Sequence, residues 1–213
     1  MITLYDYLPS QNGYKVRLLL SHLARPYVTK VVRIFAGEGQ TSEFLANNPT
    51  GAVPVLELDD GRVLPESNAI LCYLADGSRF LPEGPWERAQ VLRWMFFEED
   101  FIQNGLASLR YWTLTGKLPR RRNEVIKAKK ELSQKTLRIL DRWLTGRDFL
   151  TDSGYTIADM GVFAYVSRAD EAGIALGDYP AVAAWVRRIR GQERFLDVVH
   201  PYSIDPQSGS ELP

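Results

Sequence analysis

Two hydrophobic periodicities divide the chain. Up to residue 76, short runs rich in β-branched and aromatic residues alternate with short helical patterns; after residue 86 the apolar positions recur at helical spacing over long stretches. Residues 2–5 (ITLY) predict a strand. Residues 14–24 predict a helix, because Val16, Leu19, Leu20 and Leu23 fall at i, i+3, i+4 and i+7 and form one apolar stripe. Residues 27–34 predict a second strand, which completes a right-handed βαβ unit. Residues 53–58 and 62–64 flank Asp59-Asp60-Gly61, a hairpin signal between apolar runs. A helix is predicted from Ser67 to Ala75, with Ile70, Leu71 and Leu74 on one face. Residues 35–52, with Gly37, Gly39, Pro49 and Gly51, predict irregular chain.

The stretch 77–86 (GSRFLPEGPW) is rich in glycine and proline and predicts a linker. Beyond it, helices are predicted over 87–113, 121–144, 156–172, 180–190 and 192–199. Trp94, Phe97 and Phe101 share a face of the first; Leu132, Thr136, Ile139, Leu140, Trp143 and Leu144 share a face of the second. The pattern therefore predicts an α/β domain over 1–76 in the order βαβ…ββα, a linker over 77–86 and an all-helical domain over 87–200. Residues 201–213 (PYSIDPQSGSELP) are polar and are expected to be a loosely held tail.

Composition narrows the function classes. Of 213 residues, 45% are hydrophobic and 24% charged, a globular balance. Lys plus Arg total 26 and Asp plus Glu total 26, so the basic bias of a nucleic-acid or acidic-membrane binder is missing. Neither nucleic acid nor membrane is expected as a partner. No apolar run is long enough to span a bilayer, and the opening MITLYDYL lacks the basic and apolar regions of a secretory signal, so a cytoplasmic location is expected. One cysteine, Cys72, excludes an intrachain disulfide and a CxxC redox pair. With only His22 and His200, far apart in sequence, no metal site is expected.

Three segments are candidates for chemistry. At Val53-Pro54, a cis bond would turn the Val53 backbone outward, where an extended peptide could pair with it; a trans proline at a strand start is the plainer reading. At Glu66-Ser67, the start of a helix offers N–H groups and a hydroxyl to a carboxylate while Glu66 accepts an ammonium; a simple helix cap is the plainer reading. In residues 8–15 (LPSQNGYK), Ser10 and Asn12 lie just before the first helix, where they cap it or donate to an anion, and Gly13 allows close backbone approach. Together they grip an amino-acid head group at one end, offer a backbone edge in the middle and place a hydroxyl at the far end. A γ-glutamyl tripeptide thiol fits that layout. Its thiol, with a pKa of about 8.5, would need such a donor to become a thiolate near neutrality.

These residues carry a resemblance. NPTGAVPVLE, PESNAI and YTIADMGVF (48–57, 65–70 and 155–163) resemble the soluble glutathione transferases, and the likeness runs nearly the full length. The resemblance implies a thioredoxin-like N-terminal domain, a helical-bundle C-terminal domain, and glutathione as co-substrate. It implies a cis bond at Pro54, pairing of Val53 with the cysteinyl backbone and binding of the γ-glutamyl group by Glu66 and Ser67. It also implies a softer role for Gln40 at the glycyl carboxylate. The Ser10-x-Asn12 spacing resembles theta-like and nu-like bacterial members, with Ser10 and Asn12 as the catalytic pair; Tyr5 sits near the catalytic tyrosine of other classes, though a strand tyrosine more often packs locally. No cysteine occupies the turn, which sets aside a cysteine mechanism, and Cys72 reads as inert core.

In the helical half, Thr156-Ile157-Ala158-Asp159 is a capping box with Tyr155 and Met160 as its staple, so Asp159 is read as structural. By resemblance, Phe101, Leu109, Arg110 and Trp112 would line a second-substrate pocket, Asp100 could reach a neighbouring subunit's glutathione, and the protein would be a homodimer. Three activities stay open. Glutathione could be conjugated to a small electrophile, a nu-like enzyme could reduce disulfides, or a related module could bind without catalysis.

Overall fold

The computed structural model describes residues 1–213. It divides into two compact units, residues 1–76 with 193–213, and residues 77–192.

The first unit is a four-stranded sheet in the order β2-β1-β3-β4. Strand β1 (Thr3–Asp6) runs parallel to β2 (Val28–Val31), and β3 (Val55–Glu57) and β4 (Val63–Pro65) complete it antiparallel. Parallel pairing of β1 and β2 requires a crossover, supplied by α1 (Gln11–His22). The β3–β4 hairpin closes at the predicted Asp-Asp-Gly turn, where Gly61 takes φ 81° and Leu58 N–H donates to Arg62 C=O at 2.8 Å. The short helix α2 (Ser42–Asn47) lies within the stretch expected to be irregular, started by the Thr41 hydroxyl, which accepts from Phe44 N–H. Helix α3 (Ser67–Ala75) has the predicted bounds. β2 is exposed at every position, as befits an edge strand.

Two expectations for the C-terminal end are corrected. Residues 192–199 are not helical, because Arg194 takes φ 57° and the carbonyls of Glu193, Arg194 and Leu196 are engaged by side chains of α1. The segment 201–213 is not a loose tail. It folds with the first unit, and Tyr202 packs its ring on Tyr7 at 6.0 Å.

The second unit is helical. From Pro85 to Leu114 one helical path runs through α4 (Pro85–Phe97), a π-helical stretch at Glu98–Ala107 and α5 (Ser108–Leu114). Then come α6 (Asn123–Leu144), α7 (Ile157–Val166) and α8 (Pro180–Arg190). The predicted 156–172 helix stops at Val166 and continues as a separate turn over Ala169–Ala172, ended by Gly173 in the left-handed region. Asp159 forms the predicted capping box and is fully buried. It accepts from Thr156 N–H at 3.0 Å, Leu150 N–H at 2.9 Å and the Trp185 indole at 2.9 Å. No helix in the structure is long and apolar enough to cross a membrane.

Candidate functional site

The strand register gathers four connecting segments at one end of the sheet. Tyr5 pairs with Val55 and Val55 with Pro65, so the turn after β1, the entry to β3 and the exit from β4 lie side by side. Asp6 pairs with Val31, which adds the segment after β2.

In the turn after β1, Ser10 N–H donates to Tyr7 C=O at 2.7 Å and Ser10 caps α1. Its hydroxyl accepts from Gly13 N–H only at 3.5 Å, too long for a strong cap, so its lone pairs and proton remain available to a ligand. Asn12 was expected ahead of the helix; it is instead in the first turn, because the chain is already helical from Gln11. Gly13 also has a different reason from the expected one. A Cβ there would stand 1.8 Å from Asp6 Oδ1, so the glycine lets α1 pass over a buried carboxyl rather than a ligand. That carboxyl lies 3.0 Å from Arg17 Nε. Burial raises its pKa to about 6 despite the opposing pull of Arg17.

At the entry to β3, the Val53-Pro54 bond is cis. Strand pairing begins only at Val55, and neither backbone group of Val53 bonds to another backbone group. Val53 is half-buried and Pro54 buried. The preceding Gly51 takes φ 69°, and a Cβ on it would stand 2.3 Å from the Gln40 amide nitrogen. The exposed Gln40 therefore lies against the chain that leads into Val53.

At the exit from β4, Glu66 takes φ 74°, a conformation that costs a non-glycine residue about 1–3 kcal/mol. Glu66, not Ser67, occupies the cap position of α3, and its exposed side chain makes no capping bond. Ser67 is the first helical residue. The first bond of the helical ladder is Ile70 N–H to Glu66 C=O at 2.9 Å, so the amides before it sit at the positive end of the helix.

A further residue joins this site, one that no motif announced. Lys15 on α1 is completely buried, and its ammonium lies 3.4 Å from Ser67 Oγ. It sits in a helix with a plain apolar stripe, and only the packing of α1 on α3 shows what its charge faces.

Tyr5 is not part of this arrangement. Its hydroxyl donates to Glu57 at 2.7 Å and accepts from Lys30 at 3.0 Å, and its ring packs edge-on against Phe44. Cys72 is half-buried on α3. In the helical unit, Phe101 stacks on Phe97 with centroids 4.9 Å apart and is half-buried, as is Trp112. Leu109 and Arg110 do not have the exposure expected of pocket walls. Leu109 is 1% exposed; Arg110 is 2% exposed and held by Glu171, Nε to Oε2 2.5 Å. Both serve the packing of the unit. Asp100 is exposed.

A thioredoxin-like domain carrying such a site at one end of its sheet, joined in one chain to an all-helical domain, defines a recognisable class. The glutathione S-transferase N-terminal domain model matches residues 9–76 and the glutathione S-transferase C-terminal domain model matches residues 94–193. The chain belongs to the glutathione S-transferase superfamily. A glutathione S-transferase from Pseudomonas fluorescens Pf-5 is 41% identical, with a TM-score of 0.89 over 92% of this chain and 97% of that one. The maleylacetoacetate isomerase of Rhizobium meliloti (strain 1021) is 30% identical over 95% of this chain and 97% of its own. The disulfide-bond oxidoreductase YfcG of Escherichia coli (strain K12) is 29% identical over 90% of this chain and 91% of its own.

Proposed function

We propose that the protein is a glutathione-dependent transferase whose co-substrate lies across the end of the sheet just described. The observation that carries this reading is the convergence there of three elements: an unpaired Val53 backbone, an α3 N-terminus with an uncommitted Glu66 side chain, and a serine at the cap of α1. In this reading, Ser67 and the first amides of α3 hold the γ-glutamyl carboxylate. Glu66 accepts its ammonium, Val53 pairs with the cysteinyl backbone and Gln40 donates to the glycyl carboxylate. Lysine has no acceptor, so Lys15 can only donate to Ser67 Oγ, leaving the serine proton to point at the ligand.

The sulfur then faces Ser10 and Asn12. A serine hydroxyl is a poor base, so its part is to stabilise the thiolate, not to remove the proton. One charge-assisted hydrogen bond of about 1.5–3 kcal/mol lowers the thiol pKa by roughly one to two units. In conjugation the thiolate forms a C–S bond to an electrophilic carbon, and the leaving group departs with its electron pair. Phe101 and Trp112 are the aromatic candidates for contact with an apolar second substrate. Family form favours a cytoplasmic homodimer without a metal.

A second reading is favoured by two observations, the likeness to a disulfide-bond oxidoreductase and the Ser10-x-Asn12 spacing. There the thiolate attacks one sulfur of a disulfide, and the other sulfur leaves as a thiolate. A second glutathione resolves the mixed disulfide, releasing glutathione disulfide. Turnover of a chloronitrobenzene compared with turnover of a mixed disulfide separates the two. Turnover of neither, with glutathione still bound, leaves the protein as a binding module, a third possibility because fold alone does not confer activity.

A further inference from the structure

The C-terminal segment is tied to the first unit by a series of specific contacts. Glu193 C=O meets His22 Nδ1 at 2.8 Å, Arg194 C=O accepts from the Ser21 hydroxyl at 2.8 Å, and Leu196 C=O accepts from the Tyr14 hydroxyl at 2.7 Å. The segment thus runs back along α1, from its last turn toward its first. It ends against the loop after β2, where Pro213 Cγ lies 4.0 Å from the place a Cβ would take on Gly37. Between these points Pro201 leads into a turn over Tyr202–Ile204, closed by Asp205 N–H donating to Tyr202 C=O at 3.0 Å. That turn presents the half-buried Tyr202 ring.

Tyr202 meets Tyr7 at 6.0 Å, and Tyr7 meets Phe35 edge-on at 5.7 Å and 72°. Each of these two partners belongs to a different part of the candidate site. The Tyr7 carbonyl receives the Ser10 N–H, so Tyr7 opens the turn that carries Ser10 and its ring is anchored at the start of that turn. Phe35 is buried in the turn Ile34–Ala36, from which the chain passes through Gly37 to Gln40. One aromatic trio therefore links the end of the chain to both the segment that carries Ser10 and the segment that carries Gln40.

From this geometry we infer that Tyr202 is a positioning residue for glutathione: its ring completes the trio and holds the Ser10 turn and the Gln40 loop at the spacing the tripeptide requires. The inference rests on the glutathione reading above. An aromatic pair of this kind shifts an equilibrium by about threefold to tenfold. Because the trio touches the ends of the binding segments and no reacting atom, the effect falls on binding.

The test is steady-state kinetics with glutathione varied, on the full-length wild type, Tyr202→Ala and Tyr202→Phe, with a calorimetric glutathione titration of each. Tyr202→Ala is expected to raise both KM and Kd for glutathione by about threefold to tenfold with kcat within about twofold. Tyr202→Phe keeps the ring and is expected to match the wild type. An unchanged KM in Tyr202→Ala overturns the inference, as does a fall in kcat without a rise in KM, or failure of Tyr202→Phe to restore binding. If the wild type itself takes up no glutathione, the functional reading fails first and this inference with it.

Discussion

The ammonium of Lys15 lies 3.4 Å from the hydroxyl of Ser67 in the interior of the first unit, where both side chains are buried. A buried cation costs free energy unless something anionic or polar answers it. One such group is the hydroxyl at the start of α3, where the Lys15 charge adds to the positive field of the helix terminus. Replacing Lys15 by Met keeps the volume and removes the charge. Lys15→Met is expected to weaken glutathione binding by roughly tenfold or more, the scale of one hydrogen bond to a charged group. Calorimetric titration of the variant checks it.

The glutathione reading assigns Ser10 to the sulfur, so its removal should appear as a change in thiol acidity. In Ser10→Ala the pKa of bound glutathione is expected to rise by about one to two units, with activity near neutral pH falling roughly 10- to 100-fold. The ultraviolet thiolate absorbance of the complex, titrated against pH, reads this directly. Because the cap bond to Gly13 is long at 3.5 Å, the accompanying stability loss is expected at the low end of a cap substitution, about 0.5 kcal/mol.

Tyr5 gives the opposite expectation. Its hydroxyl is committed to Glu57 and Lys30 on the side of the sheet occupied by Phe44. Tyr5→Phe should leave kcat/KM for glutathione within about twofold, since loss of a partly exposed hydrogen bond costs about 1 kcal/mol of stability at most and none of it at the sulfur. A loss of activity as large as that of Ser10→Ala would assign the tyrosine, not the serine, to the thiolate.

Asp159 carries a pH-dependent share of stability. Burial raises its pKa to about 6 from an unperturbed 3.8, against the lowering effect of its hydrogen bonds. The folded state therefore binds this proton more tightly than the unfolded state. The contribution is complete below about pH 4 and is lost as pH rises through about 6. Asp159→Asn cannot titrate, so its stability should not follow pH across this range, whereas that of the wild type should. The margin of the wild type over this variant is expected to shrink between pH 4 and pH 6. Urea unfolding of both proteins across that range measures it.

How much of this was legible in the sequence differs from element to element. Helix α8 has the predicted bounds and α6 nearly so, because both are strongly amphipathic and flanked by clear stop signals. The hairpin followed from Asp-Asp-Gly, and the Asp159 box from Thr-x-x-Asp. Residues 192–199 misled because apolar spacing also suits a segment lying along a helix, and α1 claims the carbonyls a helix would have used. Contacts on more than one side explain why α1 is buried well beyond its apolar stripe: Lys15 faces α3 and Arg17 meets Asp6, while Tyr14, Ser21 and His22 hold the C-terminal segment. Of the candidate site, Ser10, Val53, Glu66 and Ser67 could be picked out, since caps and a proline at a strand start leave local signatures. Lys15 and Tyr202 could not, because what they do depends on partners 52 and 195 residues away, 15 to 67 and 7 to 202.

The central claim is that the end of this sheet is a glutathione site, and calorimetric titration of the wild-type protein with reduced glutathione tests it most directly, read beside Glu66→Ala and Ser67→Ala. Saturable uptake of one glutathione per chain, weakened at least about tenfold by either substitution, is the predicted result. No saturable heat from the wild type, or uptake that both substitutions leave unchanged, would contradict the account.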